Sequence, residues 1–166
     1  MIISLKPVLI DNVEHIKRWA SDPYYGEFFR RFPPLFAWDN DQAIVNTFST
    51  SYFIRQNDEI VGLCSLINID NQAKAVEYGV LLEKDSKETV KTLFESSNQL
   101  KEYMFNYLAF NKAYCKILSH RKDLVSLFEL NGMKFEAELK QSCYWKGKYW
   151  DELLYYQLRS DYVGEE

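Results

Sequence analysis

The chain has 166 residues, of which 47% are hydrophobic and 16% aromatic, and it carries a formal net charge of −4. That length suffices for one core burying roughly 70% of the unfolded surface, without a disulfide or metal staple. The acidic balance supplies no global field for nucleic acid or an anionic membrane, and no run approaches the ~18 apolar residues of a membrane-spanning helix.

From the N-terminus, residues 2–10 read as a strand, and 12–19 as a short helix behind an Asp11 cap, with Val13, Ile16 and Trp19 on one side. Residues 24–38 are unusually aromatic. Tyr25, Phe28, Phe29 and Phe32 fall at i, i+3, i+4 and i+7, opposite Glu27, Arg30 and Arg31, which predicts a helix ended by Pro33-Pro34. A helix over 39–48, capped by Asp39 or Asn40, precedes strands at 51–55, 60–69 and 75–82, a meander with turns at 56–59 and 70–72. After the polar residues 83–88, a long helix keeps Val90, Leu93, Phe94, Leu100, Met104, Tyr107 and Leu108 on a 3.6 period. A strand at 111–119, a helix at 123–130 closed by Gly132, and a hairpin of 135–145 and 149–158 across Lys146-Gly147-Lys148 complete the chain. The order predicts one mixed α/β domain over residues 1–166. Cys64, Cys115 and Cys143 sit in apolar or strand-like segments without close Cys or His pairing, as expected of reduced, buried thiols in a cytoplasmic protein with no metal. Residues 1–7 lack the basic region and apolar run of a targeting segment, so an unprocessed soluble chain is expected.

Five segments carry a resemblance. Ile60-Val61-Gly62 leads into Leu66-Ile67-Asn68-Ile69-Asp70, and Glu77-Tyr78-Gly79-Val80-Leu81-Leu82 follows. Further on stand Leu127-Phe128-Glu129-Leu130-Asn131-Gly132-Met133-Lys134 and Gly147-Lys148-Tyr149-Trp150-Asp151. In this order and spacing they resemble, over nearly the whole chain, the GNAT superfamily of N-acetyltransferases, especially its RimJ/RimL-like branch. The resemblance implies an acyl-CoA N-acyltransferase fold, a central twisted mixed sheet flanked by helices. It also implies transfer of an acetyl group from acetyl-CoA to an amine, either a protein N-terminus or a small amine. The backbone of Val80, Leu81 and Leu82 would then pair with the pantetheine arm like an added strand, and the start of the long helix, near Lys87 and Thr89, would hold the pyrophosphate. Glu77 stands where relatives place a carboxylate that deprotonates the amine, and Tyr78 is a candidate proton donor.

The chain also departs from the family. No glycine lies between Gly79 and Gly132, although the family's glycine loop should fall within residues 83–93. Glu83, Asp85 and Glu88 there repel a phosphate, while Lys84, Lys87 and Lys91 partly offset them and Ser86 offers a helix cap. Aligned on Gly132, the family's acid Tyr is Phe128, which has no proton to give. A cofactor-touching Asn becomes Arg121, which suits a phosphate or simply the surface, and a small Ser becomes Leu124. Glu77 reads equally as an outward strand residue in the alternation with Val76, Tyr78 and Val80, and His15 and His120 read as surface or cap residues. The aromatic stretch 24–38 occupies the family's acceptor region, and Trp145, Tyr149, Trp150, Tyr155 and Tyr156 form a second aromatic surface. These surfaces suit an amine acceptor, a protein partner or a homo-oligomer, with Phe28 and Trp150 as exposed anchors. Two functions therefore stand on these residues. One is a working N-acetyltransferase; the other is a catalytically inactive domain serving as an interaction or structural subunit of a larger cellular or viral assembly, cytoplasmic or within an intracellularly assembled particle.

Overall fold

The computed structural model describes residues 1–86 and 89–163. Its alternating segments pair into one seven-stranded sheet: β1 (Ile3–Pro7), β2 (Ser51–Gln56), β3 (Glu59–Asp70), β4 (Ala75–Leu82), β5 (Lys112–Leu118), β6 (Lys134–Trp145) and β7 (Lys148–Leu158). The spatial order is β1-β2-β3-β4-β5-β7-β6. Every neighbouring pair is antiparallel except β4 and β5. Turns join β2 to β3, β3 to β4 and β6 to β7, whereas a parallel neighbour needs a crossover, and the long helix α4 (Thr89–Glu102) supplies it.

Strand alternation divides the apolar residues into two cores. Ile54, Cys64, Val76 and Tyr78 face one side, where they meet Leu100, Met104 and Phe105 from α4 and its terminal π-helical turn, and Phe128 from α5 (Lys122–Leu130). Phe53, Leu63 and Leu81 face the other, packed with Val13, Ile16 and Trp19 of α1 (Val13–Ala20), Phe28 of α2 (Gly26–Phe29) and Ile44 of α3 (Asp41–Thr47). A last turn, α6 (Arg159–Val163), brings Tyr162 against Phe105. The mixed sheet with helices on both faces matches the expectation. Both faces of β4 are therefore covered, and Glu77 is buried rather than outward.

Several local expectations are corrected. The first strand stops at Pro7, and α1 begins behind a 3-10 turn over Ile10–Asn12 with no side-chain cap. The helix expected over residues 24–32 is a 3-10 turn over Pro23–Tyr25, opened by the Asp22 side chain accepting from the Tyr24 amide, followed by the single turn of α2. Between the two caps considered for α3, Asn40 does the work, accepting from the Ala43 amide at 3.0 Å. The aromatic stretch is mostly core: Tyr25 and Phe28 are buried, with Phe29, Phe32 and Trp38 packed around Phe48. Phe28, only 4% exposed, is not a surface anchor, whereas Phe36 is 88% exposed. All three cysteines are free and buried.

Gly62 has a specific steric reason. A Cβ there would sit 2.3 Å from the Leu81 carbonyl oxygen on the neighbouring strand, and backbone cannot swing aside. Gly62→Ala is expected to lower stability by about 1–3 kcal/mol through local overpacking, read as a lower urea midpoint at unchanged slope. An unshifted midpoint would show that β3 and β4 separate freely there.

Candidate active site

The β4–β5 ladder is short. It joins Ala75 to Lys112, Val76 to Ala113 and Glu77 to Tyr114, and then the strands part. Beyond that point β3 still carries β4 as far as Leu82, and β7 carries β5 as far as Leu118. Each strand thus keeps an edge facing the gap without a strand partner among the described residues. Such an edge is a template for an extended ligand. A cavity of about 220 Å³ occupies the gap, and Val80, Leu81 and Leu82 line it, as does Leu93 of α4.

At one end of this cavity lie Glu83, Lys84, Thr89 and Arg121. The repulsion expected from Glu83 is relieved locally, because its carboxylate accepts from the Arg18 guanidinium and from Trp19 Nε1 at 3.0 Å. Lys84 donates its amide to Tyr25 Oη at 3.1 Å and pairs with Asp22 at 3.2 Å. Arg121 grips Asp123 through Nε and Nη2 at 3.1 and 2.9 Å, which raises its pKa and lowers that of Asp123. Arg121 is also the N-cap of α5 and supplies no side-chain cap bond. Thr89 Oγ1 donates to the Ser86 carbonyl at 3.1 Å. Lys87 and Glu88 lie outside the described residues.

Tyr78, the first residue of β4 past its pairing with β5, also lines the cavity, its ring edge-on to Phe128 with centroids 6.1 Å apart. The hydroxyl is buried and meets no conventional hydrogen-bond partner among the described residues, with the Cys115 thiol as its polar neighbour. Burial first, and then Cys115, push its pKa well above the usual tyrosine value, so the phenol stays protonated. Burial likewise pushes the Cys115 thiol up, which leaves it a poor nucleophile. The ring of His120 lies 4.3 Å from that of Trp150, and His15 packs against Trp19 and Phe53. Neither histidine is among the residues lining the cavity.

The other end carries an ion-pair network that ties α2 to the sheet. Arg31 Nε donates to Glu77 Oε1 at 3.1 Å, and Asn68 Nδ2 donates to Oε2 at 2.6 Å. Arg31 Nη1 reaches both the carboxylate and the carbonyl of Glu27 at 3.3 Å, and its Nη2 lies 3.8 Å from Glu152. Arg30 pairs with Glu152, which also accepts from Ser142 Oγ at 2.9 Å. Lys116 Nζ stands 3.9 Å from Glu77. Glu77 and Glu152 side chains are each 1% exposed, while Glu27 is 28% exposed and lines the cavity with Arg31 and Lys116. Burial opposes the charge on Arg31, but Glu27, Glu77 and Glu152 outweigh it and raise its pKa. Sequence reasoning singled out Glu77 alone. The available signal was Arg30-Arg31 in an otherwise apolar stretch, with Glu152 at an alternate position of a hydrophobic strand.

The sequence match bears on what this parted pair and its following helix are for. Residues 12–154 match the family model described as acetyltransferase (GNAT) domain. The chain belongs to the GNAT acetyltransferase family. Among GNAT proteins it is 27% identical over 158 residues to spermidine N(1)-acetyltransferase of Vibrio cholerae, covering 93% of this chain and 86% of that one. Mutant forms of the spermidine/spermine N-acetyltransferase SpeG from the same organism superpose with a TM-score of 0.81 at 16% identity, covering 99% of both chains. A dodecameric spermidine N-acetyltransferase from Vibrio cholerae gives 0.80 at 16% identity, covering 99% of this chain and 98% of that one. These relatives support the GNAT family at large rather than the RimJ/RimL-like branch in particular.

Proposed function

We propose that this GNAT chain transfers an acetyl group from acetyl-CoA to the primary amine of a small acceptor. The parted β4 and β5 carry the proposal, because that gap leaves backbone donors and acceptors facing a cavity. Acetyl-CoA supplies the activated acetyl thioester. Val80, Leu81 and Leu82 offer their free edge to the pantetheine amides, Arg121 and Lys84 face the phosphates, and Thr89 lines the same cavity. The side chains fit this ligand even without glycines, since Glu83, the acid that lines this end of the cavity, is already engaged by Arg18 and Trp19.

For the chemistry, the amine nitrogen bonds to the carbonyl carbon as the carbon–sulfur bond breaks, so one proton leaves nitrogen and one joins sulfur. Tyr78 lines the cavity, and its raised pKa keeps the phenol protonated, which supports giving it the second transfer in place of the tyrosine missing at position 128. Glu27 is the carboxylate open to the cavity and takes the first; Glu77, beneath it, positions Arg31. Assembly into a homo-oligomer through exposed rings such as Phe36, Tyr144 and Tyr149 is part of the same proposal, supported by the dodecameric relative. The test is release of free thiol from acetyl-CoA over a panel of primary amines, with product mass as a check. Amine-dependent release is expected, and release no faster than the amine-free blank with every amine would sink the proposal.

A further inference from the structure

The acceptor end of the cavity is charge-balanced before any ligand enters. Glu27, Glu77 and Glu152 face Arg30, Arg31 and Lys116. A site for a polycation needs carboxylates in excess, and here both buried carboxylates are already engaged. The unspent capacity lies on the cationic side. Arg31 has five N–H donors in a fixed fork, yet Nη2 makes no hydrogen bond among the described residues and comes only within 3.8 Å of Glu152. Lys116 Nζ likewise makes none, Glu77 standing 3.9 Å away, and its side chain is 28% exposed. Both cations approach Glu77 and both line the cavity where β4 and β5 part.

We infer that the acceptor is an amine that also bears a carboxylate, as an amino acid or short peptide does, and that Arg31 and Lys116 select it by binding that carboxylate. The inference rests on the acetyl-transfer proposal for the site, and deepens it. A fork beside an ammonium fits a planar carboxylate, and Glu27 remains beside them for the ammonium end. A polyamine brings two or more positive charges to the same place, beside Arg31 and Lys116, and is disfavoured by like-charge repulsion. The acceptor preference is thus set against that of the polyamine enzymes this chain is similar to.

Two probe pairs differing only in the carboxylate test this directly: L-lysine against cadaverine, and glycylglycine against glycylglycinamide, with spermidine as the polycation. Binding is read by ligand-observed NMR, which does not depend on turnover. The carboxylate member of at least one pair is expected to bind about tenfold tighter or more, and Lys116→Gln to abolish most of that difference by weakening the carboxylate member, with no loss of binding for cadaverine or glycylglycinamide. Arg31→Lys, which keeps the buried charge, should weaken the same preference. Equal binding within both pairs, tighter binding of cadaverine or spermidine, or no binding by any probe would overturn the inference. Acetyl-CoA binding to the same sample decides separately whether the acetyl-transfer proposal stands.

Discussion

Arg31→Ala is expected to cost about 3–5 kcal/mol of folding stability. The guanidinium is 10% exposed and spans two carboxylates that are each 1% exposed, one on β4 and one on β7. Truncation leaves Glu77 with Asn68 and a lysine 3.9 Å away, and Glu152 with Arg30 and Ser142. A buried charge without a close counter-ion has lost its compensation for dehydration, while domains of this size have only about 5–15 kcal/mol in total. Glu27 loses its partner at 3.3 Å and keeps only Arg30 at 3.8 Å, so α2 loosens from the sheet. Urea denaturation followed by circular dichroism should show a much lower midpoint. The pair Arg31→Met with Glu77→Gln should recover much of the loss, because a neutral replacement for both partners removes the stranded charge. A midpoint within experimental error of the parent for Arg31→Ala would show that the network is solvated and structurally idle.

Tyr78→Phe is expected to separate activity from stability. The parent hydroxyl is buried without a conventional partner, and an unsatisfied buried polar group costs about 1–3 kcal/mol, so its removal should leave the midpoint unchanged or raise it. Acetyl transfer should nevertheless fall by about 10²-fold or more in kcat, since the protonated phenol beside the gap is gone. A residue that merely fills the core would move neither in this pattern. The pH dependence gives a second check. The folded-state pKa is raised well above 10.0, so Tyr78 imposes no alkaline limb on kcat below that pH. Folding stability is unaffected by this group below pH 10 and falls as pH rises beyond it, where the unfolded chain gives up its proton first. Full activity in Tyr78→Phe would hand the proton to solvent.

The parts of the fold that were legible in the sequence rest on local periodicity. The β2–β4 meander follows from alternation between short turns, and the last hairpin from Lys146-Gly147, both residues at positive φ of 51° and 78°, the twist that two-residue hairpin loops favour. The aromatic stretch misled because helical spacing of its rings arises from one 3-10 turn, one α-turn and a loop, all folded over the same apolar face. Glu83 illustrates a different gap. Its charge looked hostile to phosphate, and its neutralising partners lie more than sixty residues earlier. The Glu77–Arg31–Glu152 network was illegible for the same reason: its members come from three distant segments, and only the register of β4 beside β5 and β7, with α2 laid across them, makes them neighbours.

Whether the glycine-free segment still holds the cofactor is the point on which the account turns, and calorimetric titration of the purified protein with acetyl-CoA addresses it without any assumption about the acceptor. Saturable one-to-one binding in the micromolar range is expected, with desulfo-CoA retaining most of the affinity through the arm and phosphates. Absence of heat at millimolar acetyl-CoA, confirmed by an unshifted melting temperature, would contradict it and leave a GNAT fold that has lost its cofactor.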